Sequence, residues 1–255
     1  MLKPRIIPCL LIRDKGLVKT KNFKPFKYVG DPINAVRIFN EKEADELIVL
    51  DIDATTKGMD PDFLTIKKIA AECRMPLCYG GGVKTVEHAE YIISLGVEKV
   101  AISAAFIANP ELVTDISSKI GGQSVIVILD VKRNLFGKYE VFTHNGKVRT
   151  NKTPIELAKL AVKFGAGEVV INSIDLDGAM SGYDLILAKN LRNAVNVPIS
   201  IMGGAENLND MKNLFNSCGV VGAIAGSLFV FKGPLKAVLI NYPYGIEKDD
   251  LVENN

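Results

Sequence analysis

The stretches Leu47–Asp53 (LIVLDID) and Val170–Asp177 (VINSIDLD) decide the fold, because they read as one strand end written twice. Asp51 and Asp175 lie 124 residues apart (175 − 51). Gly81 of PLCYGGGV and Gly204 of PISIMGGA are 123 apart (204 − 81), and Ser103 of VAISAAF and Ser227 of AIAGSLF are again 124 apart (227 − 103). A near-constant offset of half the chain marks a duplicated architecture. The strand starts IIPCLLIR (Ile6–Arg13) and VIVILDVKR (Val125–Arg133) align as well and set Leu11 opposite Asp130. Duplication leads one to expect a carboxylate at both positions, and the chain carries only the second.

Working outward, short β-branched runs alternate with longer amphipathic stretches. The strand-like runs are Arg5–Ile12, Glu46–Asp53, Pro76–Tyr79, Lys99–Ser103, Ser124–Val131, Glu168–Asn172, Pro198–Met202 and Val221–Ala225. The helix-like runs are Pro32–Glu43, Pro61–Cys73, Val86–Leu95, Pro110–Ile120, Pro154–Phe164, Tyr183–Ala194, Leu208–Ser217 and Pro234–Ile240. Several begin with proline near the first turn, and Gly96, Gly165 and Gly219 follow three of them, the usual start and stop signals. Near-continuous apolar strands imply a buried parallel sheet. Eight such units predict an α/β fold, a single (β/α)₈ barrel over residues 1–255 with half-barrels of about 1–122 and 123–245 and a flexible tail of about 246–255. An open doubly wound sheet is the competitor; repetition within each half favours closure, and no GxGxxG follows the first strand. The long connections Arg13–Gly30 and Lys132–Lys152 fall at the C-terminal face, where barrel chemistry occurs, and the second reads as a hairpin turning at Asn145–Gly146. Lys19–Thr20 and Arg149–Thr150 are expected to correspond across the duplication.

Composition narrows the function. Of 255 residues, 48% are hydrophobic, so a large core is available; 31 basic and 29 acidic residues leave a net charge of +2. That balance argues against a nucleic-acid or membrane-surface partner and makes any anion binding local. No apolar run approaches the ~20 residues that span a bilayer, and the N-terminus lacks a signal-peptide layout. Cys9, Cys73, Cys78 and Cys218 form no CxxC, and only His88 and His144 are available, so a metal centre is not expected. Reduced thiols and a cytoplasmic location are the expectation.

Two glycine-rich turns carry the chemistry. Gly80–Gly82 is followed by Ser103–Ala104, and Gly203–Gly204 by Gly226–Ser227. Such turns let backbone N–H groups approach a phosphate; the plainer reading is tight packing between strand and helix. Repetition at one offset favours two phosphate sites facing each other across the mouth, suited to a ligand with a phosphate at each end. Asp130 ends the fifth strand between them, as a general acid or base or as a loop-bonding carboxylate. Asp177–Gly178 would form a turn beside the second site, and Lys19 either reaches an anion or is solvated. At the opposite face Arg5, Glu46, Lys99 and Glu168 each begin a strand, which suggests a charged ring.

The segments RIIPCL (Arg5–Leu10), VK (Val18–Lys19), GDP (Gly30–Pro32), DEL (Asp45–Leu47), GGGV (Gly80–Val83), SIDLDG (Ser173–Gly178), SGYD (Ser181–Asp184) and GGA (Gly203–Ala205) together resemble the cyclase subunit of imidazole glycerol phosphate synthase. The resemblance implies a barrel without a cofactor that takes ammonia from a glutaminase partner docked under its lower face. There, Arg5, Glu46, Lys99 and Glu168 correspond to a gate. It implies phosphate contacts at Gly82, Ser103 and Ala104, and at Asp177, Gly178, Gly204, Gly226 and Ser227, although the family has Asn-Thr where this chain has Ser103–Ala104. It also implies a catalytic role for Lys19, and two opposed aspartates as acid and base: Asp130 matches one, and Leu11 stands where the other belongs. PCLL (Pro8–Leu11), LVKT (Leu17–Thr20) and KYVGDPINAVRIFN (Lys27–Asn40) resemble a paralogous subgroup linked to surface-glycan synthesis, in which ammonia converts an acetamido group of a nucleotide sugar to acetamidino. The ordinary histidine-pathway cyclase, a non-catalytic activator of a glutaminase and a single-chain phosphosugar isomerase are the other readings.

Overall fold

The computed structural model describes residues 3–24, 26–233 and 235–252. Eight strands run parallel: β1 Arg5–Arg13, β2 Leu47–Asp51, β3 Leu77–Gly80, β4 Lys99–Ile102, β5 Val125–Arg133, β6 Glu168–Ser173, β7 Ile199–Met202 and β8 Gly222–Ala225. Each pairs with the next, and β8 returns to β1 in parallel register (Arg5 with Gly222, Ile7 with Ile224), so the sheet closes into a barrel. The open-sheet alternative is thereby excluded.

Helices α1 Pro32–Glu41, α2 Phe63–Glu72, α3 Val86–Ser94, α4 Glu111–Ile120, α5 Pro154–Lys163, α6 Leu185–Ala194 and α7 Leu208–Cys218 alternate with the strands, as the periodicity predicts. Their starts are chemically specified. Asp31 accepts from Asn34 N ahead of Pro32, Thr153 accepts from Glu156 N ahead of Pro154, and Asn207 and Asp210 form a capping box.

Strand alternation sorts the apolar side chains into two cores. Ile6, Leu10 and Ile12 of β1 face the helices within the large outer core. Ile7 and Cys9 face inward and join Ile48, Cys78, Ala101, Ile126, Ile128, Val170, Met202 and Ile224 in a packed column on the barrel axis. The two-residue repeat therefore divides the interior into layers: a charged floor, an apolar middle and a polar mouth.

The C-terminal part departs from expectation. The helix predicted over Pro234–Ile240 is absent from 235–240, where Phe231–Lys232 and Ala237–Val238 pair as a hairpin, while Pro234 lies outside the described residues. The eighth helix, α8, comes later, at Gly245–Val252, all but its first residue in the segment expected to be a flexible tail. Its few apolar residues give no helical stripe to read. What holds this end are buried Leu251 and buried Tyr242, whose hydroxyl donates to Ile6 O at 2.9 Å. Residues 253–255 of the expected tail lie outside the described residues. No helix among the described residues is long and apolar enough to cross a membrane.

Candidate active site

At the strand starts, the four expected charges converge. Arg5 bonds Glu46 at 2.5 Å and Glu168 at 2.7 Å, and Lys99 bonds the same two carboxylates at 2.7 and 3.3 Å. Both glutamates are buried. Burial works against the Glu168 charge, but Arg5 and Lys99 outweigh it and hold its pKa below the usual carboxylate range. Burial likewise opposes the Arg5 and Lys99 charges, and Glu168 and Glu46 override it, raising both pKa values. A fifth member was not foreseen: buried Ser200 of β7 donates to Glu168 at 2.5 Å, and Arg5 donates to Ser200 at 3.3 Å. Gly222 on the neighbouring strand makes room for it, since a Cβ there would lie 2.0 Å from Ser200 Oγ.

The opposite end is one continuous pocket. Leu11, Lys19, Gly82, Ser103, Ala104, Asp130, Asp177, Gly178, Gly204, Gly226 and Ser227 all line it. Of the carboxylates at the strand ends, most are committed to loops. Asp51 accepts from the N–H groups of Asp53 and Ala54, Asp175 from Arg133 N, and Asp177 from the Thr20 hydroxyl. Asp130 differs: among the described residues its one hydrogen bond is from Asn172 Nδ2 at 2.9 Å on the adjacent strand. Desolvation raises the Asp130 pKa to about 7, opposed by the Asn172 bond and reinforced by Asp177. Across the mouth stand Leu11 and Leu50, neighbours in the register, so that side of the pocket is apolar.

Lys19 is buried, not solvated, and its ammonium donates to Cys9 O at 2.7 Å. Burial lowers its pKa, against the pull of Cys9 and Asp177. It packs against Gly226, where a Cβ would sit 2.4 Å from Nζ. Its station is therefore the second glycine turn. Burial also pushes the Cys9 thiol to about 11, so it stays protonated and is no thiolate nucleophile.

Two hairpins strap the mouth. Gly16–Lys19 and Lys27–Gly30 fold back from β1, and Tyr139–Thr143 and Val148–Arg149 fold back from β5. The first reaches the end of β6, where Thr20 Oγ1 bonds Asp177 at 2.9 Å; the second reaches the end of β2, where Asn145 Nδ2 donates to Ile52 O at 2.7 Å. Left-handed residue pairs sit at matching places, Asn22–Phe23 and His144–Asn145. These straps obey the half-barrel relation, but they correct the residue match. Lys19–Thr20 does not correspond to Arg149–Thr150, because Lys19 lies on the outgoing strand and exposed Arg149 on the returning one, bonded to Glu140.

With the geometry in hand, the similarity to known proteins is decisive. The histidine biosynthesis protein family matches residues 5–235. The chain belongs to this family. Within it the chain is HisF-like. It is 55% identical over 99% of its length, and 98% of the relative's, to a Vibrio vulnificus (strain YJ016) protein provisionally named imidazole glycerol phosphate synthase subunit hisF3. A Leptospira interrogans protein with a similar provisional name is 54% identical over 98% of this chain and 99% of its own. The imidazole glycerol phosphate synthase subunit HisF of Alkaliphilus metalliredigens is 38% identical, with 90% of this chain and 91% of its own covered.

In this HisF-like chain the glycine turns have a packing explanation as well as a binding one. The structure corrects the pairing of Gly81 with Gly204. Gly81 (φ +121°) directly follows β3 as Gly203 (φ +93°) directly follows β7, a Cβ would lie 2.5 Å from Asp51 O at the first and 2.7 Å from Ser173 O at the second, and Gly204 corresponds to Gly82. Sequence reasoning missed three mouth residues. Asn172 could have been found by stepping two residues at a time from Glu168 along the inward face of β6. His144 and Asn145 lie at a hairpin turn, and only the tertiary fold brings them to the pocket. Among the described residues, no group of three or more His, Cys, Asp or Glu side chains is arranged to hold a metal.

Proposed function

We propose that this chain is the synthase subunit of a glutamine amidotransferase of the imidazole glycerol phosphate synthase type, and that it forms an amidine on a phosphate-bearing nucleotide sugar. A separate glutaminase subunit releases ammonia at the charged floor. The apolar column favours passage of neutral ammonia over ammonium, because an unpaired ion is costly to desolvate. At the mouth, ammonia meets a substrate held by backbone N–H groups at Gly82–Ser103–Ala104 on one side. The other side offers Gly178, Gly204, Gly226 and Ser227, with Lys19 as the local cation. Ammonia adds to the acetamido carbon, and the carbonyl oxygen leaves as water. Asp130 moves two protons in turn from the added nitrogen to the oxygen. The first gives the neutral tetrahedral adduct with C–OH and C–NH2, and the second goes to that hydroxyl as the C–O bond breaks, so that water leaves and C=NH forms; a pKa of about 7 suits both directions near neutral pH.

The observation that carries this reading is Asp130, a mouth carboxylate whose hydrogen bonding among the described residues is to Asn172 Nδ2 and to no loop. Asp130 faces an apolar wall at Leu11 and Leu50, where a two-acid ring closure would need a second proton carrier. The spread of identities, 50–55% to the provisionally named relatives and 36–40% to proteins named as HisF, supports a specialised role. The histidine-pathway cyclase is the second reading, favoured by the intact floor, both glycine turns and Asp130.

Ammonium-driven turnover decides between them. The acetamido nucleotide sugar is expected to be converted and the histidine-pathway ketose-phosphate nucleotide to be a poor substrate. Efficient cyclisation of the latter would replace the first reading by the second. Leu11→Asp is expected to raise cyclisation by about 10–10², since it restores a positioned acid.

A further inference from the structure

Buried Asn172 leaves half of its amide unused. Its Nδ2 is spent on Asp130, while Oδ1 has no hydrogen-bond partner among the described residues. The residue is 5% exposed, yet it lines the mouth pocket. A buried carbonyl oxygen without a donor is costly, and this one is fixed in place by its own N–H bond. It also sits one layer above Val170 of the apolar column, on the inward face of β6. The group at the top of that column is thus an acceptor waiting for an N–H donor, beside the Asp130 carboxylate.

We infer that Asn172 is the receiving site for the nitrogen nucleophile: its free carbonyl oxygen accepts one N–H of ammonia, and Asp130 accepts another. Two acceptors on the barrel wall turn the ammonia lone pair away from the wall and toward substrate in the pocket. This rests on the proposed ammonia-dependent function, and it adds a recognition element for the amine itself. Gly203 lies beside it: its φ of +93° and a clash of any Cβ with Ser173 O at 2.7 Å require glycine, and the same Cβ would lie 3.2 Å from Asn172 Oδ1.

The test has two arms. In ammonium-driven turnover at alkaline pH, Asn172→Ala is expected to raise the KM for ammonia about tenfold and leave the KM for the carbon substrate unchanged. Asn172→Thr, whose hydroxyl restores an acceptor, is expected to recover part of the loss and serves if the alanine variant folds poorly. Equal rises in both KM values, or a loss of kcat alone, would reduce Asn172 to a packing residue and overturn the inference. The second arm needs no turnover, so it separates this inference from the choice of reaction. The Asn172 side-chain amide resonance, assigned by its loss in Asn172→Ala, is followed while ammonium chloride or potassium chloride is added. A saturating shift with ammonium alone is expected; identical responses to the two salts overturn the site. Should no substrate turn over, the functional reading fails and this arm still decides the site.

Discussion

Asp130→Asn is expected to lower ammonium-driven turnover by about 10²–10⁴ while making the protein more stable above neutral pH. Both effects come from one environment. Desolvation dominates at Asp130, the Asn172 N–H relieves it in part, and the folded state keeps a proton on the carboxyl until pH about 7. The unfolded chain releases that proton near pH 4. Between these values the folded state binds more protons than the unfolded one, so wild-type stability falls as pH rises. The asparagine variant has no such loss. Its advantage is absent below pH about 4, grows through the interval and is constant above about 7, where it reaches about 2–4 kcal/mol. Urea unfolding at pH 4.5 and pH 8 measures it. Equal stability differences at the two pH values would show that Asp130 is not desolvated, and would remove the argument for its role. A site that gains stability when its reacting group is deleted fits the trade between activity and stability.

Glu168→Ala is expected to be the most damaging change at the floor. It leaves Arg5 and Lys99 sharing Glu46 and strips Ser200 of its acceptor. Removing one member of a buried ion cluster costs about 3–5 kcal/mol; Arg5 and Lys99 retain some solvent contact, so the lower end, about 3 kcal/mol, is expected. The Glu168 contribution is present above the unfolded glutamate pKa and is lost as pH falls through its depressed folded value, so the gap between variant and wild type narrows in acid. Thermal unfolding across pH 3–8 follows this. Function separates the floor from the mouth: external ammonium should still drive Glu168→Ala, whereas transfer from glutamine should fall. Equal loss in both assays would mean that the ring only supports the fold.

Much of this was legible in the sequence, for identifiable reasons. The half-barrel repeat shows in the sequence at spacings of 123–124, but the residue pairing is off by one or two. Asp51 ends β2 whereas Asp175 lies beyond β6, Gly81 corresponds to Gly203, and Ser103, which precedes the short helix Ala104–Ala108, corresponds to Gly226, which precedes Ser227–Val230. Arg5, Glu46, Lys99 and Glu168 each precede an apolar strand, which fixes them at the floor once the sheet closes. What escaped depended on tertiary partners. Ser200 is an unremarkable hydroxyl until β7 sets it beside Glu168. His144 and Asn145 read as a turn, and their role as a strap exists only because the hairpin folds back across the mouth. The terminal helix has too few apolar residues to announce itself, and Leu251 does the anchoring.

In the proposed function, nitrogen passes along the barrel axis from a partner's glutaminase to Asp130 without entering bulk water. This route is tested by supplying glutamine labelled with ¹⁵N in its side-chain amide to the complex of this chain with its glutaminase, in the presence of excess unlabelled ammonium. Product made from glutamine is expected to carry undiluted ¹⁵N in the wild type and diluted label in Glu168→Ala. Product nitrogen that equilibrates with the external ammonium in the wild type would contradict the route.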